Sequence, residues 1–253
     1  MKLSFIVPIR VCESRDVYEQ AGELSFNISR YFDDFEIIYA EQVGDDILKH
    51  GQLRNLAYQK SSGDILVFMD VDARFVYPID IVGLIEKEKT PLLLFDKSYD
   101  VVKDDKEECG FSIYEGRPWC GGAVTWCHSR LVACTRKQFE DCGGYSNLCL
   151  GWGFEDTIFY NRLNPVRLIN TIGHLAHGEQ QGPKQTVEEN RYISDTDKDR
   201  DVSKDNWTHT VADEINCEGK KIGIVKHYGF ANIRVADGFE YCDLIANRRT
   251  NDE

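Results

Sequence analysis

No stretch of the 253-residue sequence approaches the roughly 18–20 consecutive apolar residues of a membrane-spanning helix. The run near the start, Leu3-Ser4-Phe5-Ile6-Val7-Pro8, stops short of the about 7–15 apolar residues of an export signal. None of the nine cysteines forms a Cys-x-x-Cys pair or a zinc spacing, and an odd number cannot all pair. They are expected to be free, mostly buried thiols in a reducing compartment, so the predicted location is cytoplasmic. Glycine (20) and proline (6) are too few, and aromatics at 11% too many, for a disordered chain. A basic excess is missing as well. With 43 Asp and Glu against 30 Lys and Arg, the net charge is −13. That balance argues against nucleic-acid or anionic-membrane partners, though a local basic pocket for one small anion is compatible with it. There is no internal repeat and no clear linker. A chain of this length, 42% apolar, can bury a core of its own.

The first half alternates strand and helix signals. Leu3 to Ile9 is a short apolar run ending in a loop, and Val17, Ala21, Leu24, Ile28 and Tyr31 have helical spacing after Ser14 as N-cap. Phe35 to Ala40 reads as the second strand, Ile47 to Lys60 as the second helix, and Asp64 to Met69 as the third strand. A βαβαβ order predicts parallel strands with helices on both faces and ligands at the carboxyl ends, where Arg10, Glu41 and Asp70 sit. Further on, Pro91–Phe95 and Gly121–Cys127 read as strands, Thr135–Cys142 and Phe154–Leu163 as helices. Lys103–Glu108, Gly178–Pro183 and Asp195–Asp205 read as loops, and Lys220–Val235 has strand character. The predicted organisation is one domain over 1–185, with a nucleotide-binding half (1–75) and an acceptor and catalytic half (76–185). Residues 186–253 form a C-terminal appendage on the same domain.

Three groups of residues carry chemistry. Asp70-Val71-Asp72 puts two carboxylates at the exposed end of a buried strand, where their desolvation requires a partner. A divalent cation bridging to an anionic ligand is the natural one; an acidic turn is the bland reading. Gly151-Trp152-Gly153-Phe154-Glu155-Asp156 sets an indole beside two carboxylates at a helix N-terminus, which favours their anionic forms. An aromatic face next to acids suits a sugar, and the flanking glycines clear space for close approach; a capped helix with a core Trp is the alternative. His174-Leu175-Ala176-His177 supplies two imidazoles, which with carboxylates make a normal site for Mn²⁺ or a similar ion.

Val7-Pro8-Ile9-Arg10, Glu41-Gln42-Val43-Gly44-Asp45, Leu53-Arg54-Asn55, Phe68-Met69-Asp70-Val71-Asp72 and Gly151 to Asp156, followed by Asn161-Arg162-Leu163, occur in this order. Together they resemble a GT-A glycosyltransferase, in particular the group of beta-1,4-galactosyltransferases and the galactosaminyltransferase domains of chondroitin-type polymerases. The resemblance covers roughly residues 3–180. It implies a GT-A α/β fold, a Rossmann-like mixed sheet with helices on both faces. It also implies Mn²⁺ (or Mg²⁺) as cofactor and a UDP-sugar donor and saccharide acceptor as partners.

By the same resemblance, Pro8 and Arg10 would line the nucleotide pocket, with Glu41, Gln42, Asp45 and Arg54 near the base or ribose. Asp70 and Val71 would meet the ribose or donor sugar. Asp72 and His177, with His174 as a further ligand, would hold the metal. Trp152 and Glu155 would hold the acceptor, and Asp156 would be the general base. Two departures stand out: Thr157 replaces a third acid after Glu155-Asp156, and Ser129-Arg130 replaces a Gly-Gly pair. The implied reaction is an inverting transfer of a hexose or N-acetylhexosamine to a hydroxyl, with 178–205 closing over the donor. A sugar nucleotidyltransferase is the first alternative, but Pro8 to Cys12 contains no glycine to cradle a triphosphate. A sugar- or nucleotide-binding module without turnover is the second.

Overall fold

A computed structural model describes residues 1–10, 17–42, 47–93, 97–103, 111–118, 131–151, 153–167, 171–175, 184–196, 226–228 and 231–237. The chain begins with β1 (Leu3–Arg10), α1 (Val17–Ser29), β2 (Phe35–Gln42), α2 (His50–Lys60) and β3 (Ile65–Met69). β4 (Ala73–Phe75), α3 (Ile81–Glu88), β5 (Leu92–Leu93), β6 (Lys97–Lys103) and β7 (Phe111–Pro118) follow. Then come β8 (Leu131–Thr135), α4 (Arg136–Asp141), α5 (Glu155–Leu163), β9 (Val166–Arg167) and β10 (Thr171–Leu175). α6 (Lys184–Thr196), β11 (Lys226–Tyr228) and β12 (Ala231–Asp237) complete the described elements.

The main sheet has the order β11-β12-β2-β1-β3-β8-β5-β9. β1 pairs in parallel with β2 and β3, while β8 and β12 run antiparallel to β3 and β2, so the sheet is mixed as expected. β1, β2 and β3 are buried on both sides, and the period-2 alternation decides which face each residue serves. Phe5, Val7, Tyr39, Val67 and Met69 pack with α1 and α3. Ile6, Ile38, Leu66 and Phe68 pack with α2, α4 and α5. Pro8 has no N–H to donate, and it lies beyond Ile6↔Phe68, where the pairing of β1 with β3 ends.

A second sheet, β4-β10-β6-β7, was not legible in the sequence, which offered only a charged loop near 103–108. α6 was missed too, because its sequence carries few apolar residues and the region read as loop. Of the segment 186–253, α6, which starts at Lys184, β11 and β12 are described, and β12 pairs with β2 from Ala231↔Gln42 to Asp237↔Glu36. The expected Ser14 cap, the Gly121–Cys127 strand and the Gly178–Pro183 loop lie outside the described residues. Three cysteines, Cys134, Cys142 and Cys149, are described, and all three are buried and outside any disulfide.

Candidate active site

Two helices carry the site to the carboxyl end of β3. α5 begins where Phe154 holds a left-handed backbone (φ 71°), after Gly151 and Gly153, also at positive φ. This places Glu155 and Asp156 in the first turn, against α2. From α2, Arg54 reaches both the helix start and the strand end. Its Nη1 donates to Asp156 Oδ1 and its Nη2 to Asp70 Oδ1, each at 2.8 Å. Glu155 Oε1 is 4.0 Å from the same guanidinium and 3.5 Å from His50 Nδ1. His50 and Arg54, one helical turn apart, both face Glu155, and Arg54 alone reaches all three carboxylates.

The electrostatics follow from this arrangement. The Arg54 side chain is 1% exposed and stacks over the Tyr145 ring at 4.9 Å. Burial opposes its charge, but Asp156 first, then Tyr145, Asp70 and Glu155, raise its pKa beyond the ordinary value. Burial would also raise Glu155, yet His50 and then Arg54 hold it below the usual range. Asp156 goes the other way. Burial and the neighbouring charge of Glu155 push it up to about 7, against the opposing pull of Arg54. Two carboxyls side by side thus have their pKa values driven apart, which separates an anion from a proton-exchanging group. Glu155 Oε2 is buried and has no hydrogen-bond partner.

The Asp70-Val71-Asp72 turn is closed by Ala73 N–H donating to Asp70 O (3.0 Å). It is held from below by the buried Arg74, which donates to Val71 O at 2.7 Å and Ala73 O at 2.8 Å. Pairing of β10 with β4 sets His174 opposite Ala73, and Leu175 N–H donates to Asp72 O at 2.9 Å. His174 Nε2 therefore stands 3.5 Å from Asp72 Oδ2, both side chains being buried. That spacing is longer than a good hydrogen bond and near the roughly 3.0–3.4 Å between neighbouring donors on one divalent ion. A carboxylate oxygen beside an imidazole nitrogen fits Mn²⁺. Among the described residues no third His, Cys, Asp or Glu joins them; His177 lies outside those residues, as do Trp152 and Asp45, and the Arg10 side chain.

The other expected residues divide. Ile9↔Glu41 and Arg10↔Gln42 are paired across β1 and β2, which puts Glu41 and Gln42 at the same strand end. Glu41 accepts from Tyr18 Oη; Gln42 donates to Ile47 O (3.2 Å) and accepts from Lys49 N (2.9 Å), spanning 43–46. Arg54, expected near the base or ribose, is buried and committed to Asp70 and Asp156. Sequence reasoning missed His50, Arg74 and Asn190. The His50–Arg54 spacing of one turn was an available signal; Arg74 and Asn190 gave none. Asn190, on α6, donates to Leu150 O (2.8 Å) and Gly153 O (2.9 Å) and accepts from Leu150 N (3.1 Å).

This architecture, a mixed sheet with an Asp-x-Asp turn at its carboxyl edge and an acidic helix start beside it, is the GT-A glycosyltransferase fold. Residues 125–170 match the family model described as the N-terminal domain of galactosyltransferase. Among solved structures, the chain is similar to the catalytic domain of Drosophila beta1,4galactosyltransferase 7 in complex with xylobiose. The TM-score is 0.55 at 16% identity, covering 96% of this chain and 98% of that one. A mutant of the same enzyme, complexed with manganese, UDP-Gal and xylobiose, gives 0.52 at 16% identity, over 95% and 98%. S. aureus TarS gives 0.53 at 15% identity, over 82% of this chain and 41% of that one. No curated protein sequence matches the chain significantly.

Proposed function

We propose that the chain is a metal-dependent inverting glycosyltransferase. It would move a hexose or N-acetylhexosamine from a UDP-sugar to a saccharide hydroxyl. One observation carries this reading: Arg54 ties Asp156, whose carboxyl titrates near neutrality, to Asp70 at the edge where a GT-A sheet binds its donor. The UDP-Gal and xylobiose named for the similar Drosophila enzyme, and the UDP-GlcNAc named for TarS, support the donor and acceptor classes.

In this mechanism Glu155 Oε2 accepts a hydrogen bond from one acceptor hydroxyl and orients the sugar. Asp156, as carboxylate, takes the proton of a second hydroxyl while that oxygen attacks the anomeric carbon. The bond from that carbon to the diphosphate breaks with its electron pair on the leaving UDP, and the single displacement inverts the centre. No second carboxylate serves as nucleophile, unlike in a retaining glycosidase. Arg54 keeps Asp70 and Asp156 at fixed separation and offsets their mutual repulsion. Asp72 and His174, with His177, would hold Mn²⁺, which would supply charge neutralisation for the diphosphate.

The test is a UDP-release screen over UDP-sugar donors and mono- and disaccharide acceptors with Mn²⁺. Transfer with one pair is expected; UDP binding with no turnover across the panel would favour the non-catalytic module. UDP affinity should fall when a chelator replaces Mn²⁺, and Asp72→Ala should remove that dependence. Equal affinity with and without the ion would remove the metal site from the mechanism.

A further inference from the structure

A loop that must present an acceptor sugar to Asp156 needs its backbone fixed, and the loop before α5 is fixed from an unexpected element. Leu150, Gly151 and Gly153 form no regular structure, and two of them hold positive φ (73° and 96°). Gly151 N–H donates to Leu48 O at 2.7 Å, which anchors one side. The other side is held by α6. Asn190 is 2% exposed, and its amide uses both an acceptor and a donor on Leu150 and a further donor bond on Gly153 O. The adjacent Arg191 guanidinium lies 5.5 Å from the Phe154 ring, on the residue whose φ of 71° starts α5. One side chain thus grips the backbone both before and after position 152, and its neighbour contacts the helix start.

We propose that Asn190 is a positioning residue for the acceptor, clamping the backbone at Leu150 and Gly153 so that Glu155 and Asp156 meet the incoming sugar at a fixed distance. The proposal rests on the transferase reading above and adds to it a residue from outside the sheet. It assigns α6 a share in acceptor binding and none in donor or metal binding. The three bonds are directional, so an isosteric acid fails where an amide succeeds. Asn190→Asp keeps the shape and one acceptor, but it loses both donors and turns an anion towards two carbonyl oxygens.

The 253-residue chain would be compared with Asn190→Ala, Asn190→Asp and Glu189→Ala, an exposed site on the same helix. Hydrogen exchange over 147–154 without ligand should quicken about tenfold at the Leu150 amide in Asn190→Ala, which offers no acceptor, and stay unchanged in Glu189→Ala. With the best donor and acceptor pair of the screen, acceptor KM should rise about tenfold, with kcat and UDP affinity within a few-fold of wild type. Unchanged exchange, or unchanged acceptor KM, would overturn the proposal. So would faster exchange throughout β1 and β3 with kcat and KM failing together, the signature of a helix that merely stabilises the fold. A wild-type chain that turns over no donor would remove the transferase reading and the acceptor role with it, while slow exchange at Leu150 would leave the clamp itself standing.

Discussion

A carboxyl that titrates at about 7 is half protonated at neutral pH, and Asp156 can accept a proton only in its other half. Transfer should therefore rise with pH through about 7 and level off above it, measured as kcat/KM across a buffer series. Arg54 pulls that value down, so Arg54→Gln should move the rising limb to higher pH; a limb that stays in place would mean another group sets it. Asp156→Asn keeps the shape but cannot take a proton, and transfer should fall by about 10²–10⁴ with UDP affinity nearly unchanged. Stability should move the other way. An acid whose folded pKa is raised costs nothing below its unfolded value near 4, costs more as pH rises towards 7, and costs a constant amount beyond. Asp156→Asn should therefore melt no lower than wild type at pH 8, by thermal denaturation. Glu155→Gln should differ, raising acceptor KM as the loss of a charge-assisted hydrogen bond of about 1.5–3 kcal/mol would.

Between elements, α2 approaches the loop preceding α5 closely. A Cβ at Gly51 would stand 2.4 Å from Ser146 O, a backbone atom that cannot turn aside. Gly51→Ala should push α2 away from 145–147, where Asn55 also bonds Tyr145 O and Asn147 Oδ1 at 3.0 Å each. The expected cost is about 1–3 kcal/mol in denaturant unfolding, with Arg54 drawn off Asp156 and transfer impaired. Wild-type stability in that variant would show the contact to be slack. This level also separates what could be read from the sequence from what could not. β1, β2 and β3 are apolar runs, and α1 and α5 carry periodic apolar residues, so one-dimensional patterns located them and the acids at their ends. The partners of those acids are set by crossings. Nothing along the chain tells that Arg54 meets Asp70 and Asp156, or that a buried asparagine in the polar helix α6 reaches Leu150.

For the molecule as a whole, the edge of the parallel core is the vulnerable place. β2 carries Glu41 and Gln42 and is covered by β12 along seven paired residues, from Ala231↔Gln42 to Asp237↔Glu36. Ending the chain before residue 226 should leave β2 as a long apolar edge with unpaired backbone groups, and such a protein should aggregate where the full chain stays monodisperse in light scattering. Two-state unfolding at an undiminished midpoint would show β12 to be dispensable. The same pairing sets a timetable. β2 is made early and its partner strand roughly 190 residues later, so at about 5–20 residues per second the nascent chain carries a naked strand edge for about 10–40 s. β1 can close on β2's other side, and β3 on β1, long before that. A strand made long after β2 seals this edge, and yield in the cell should depend on how long that edge waits.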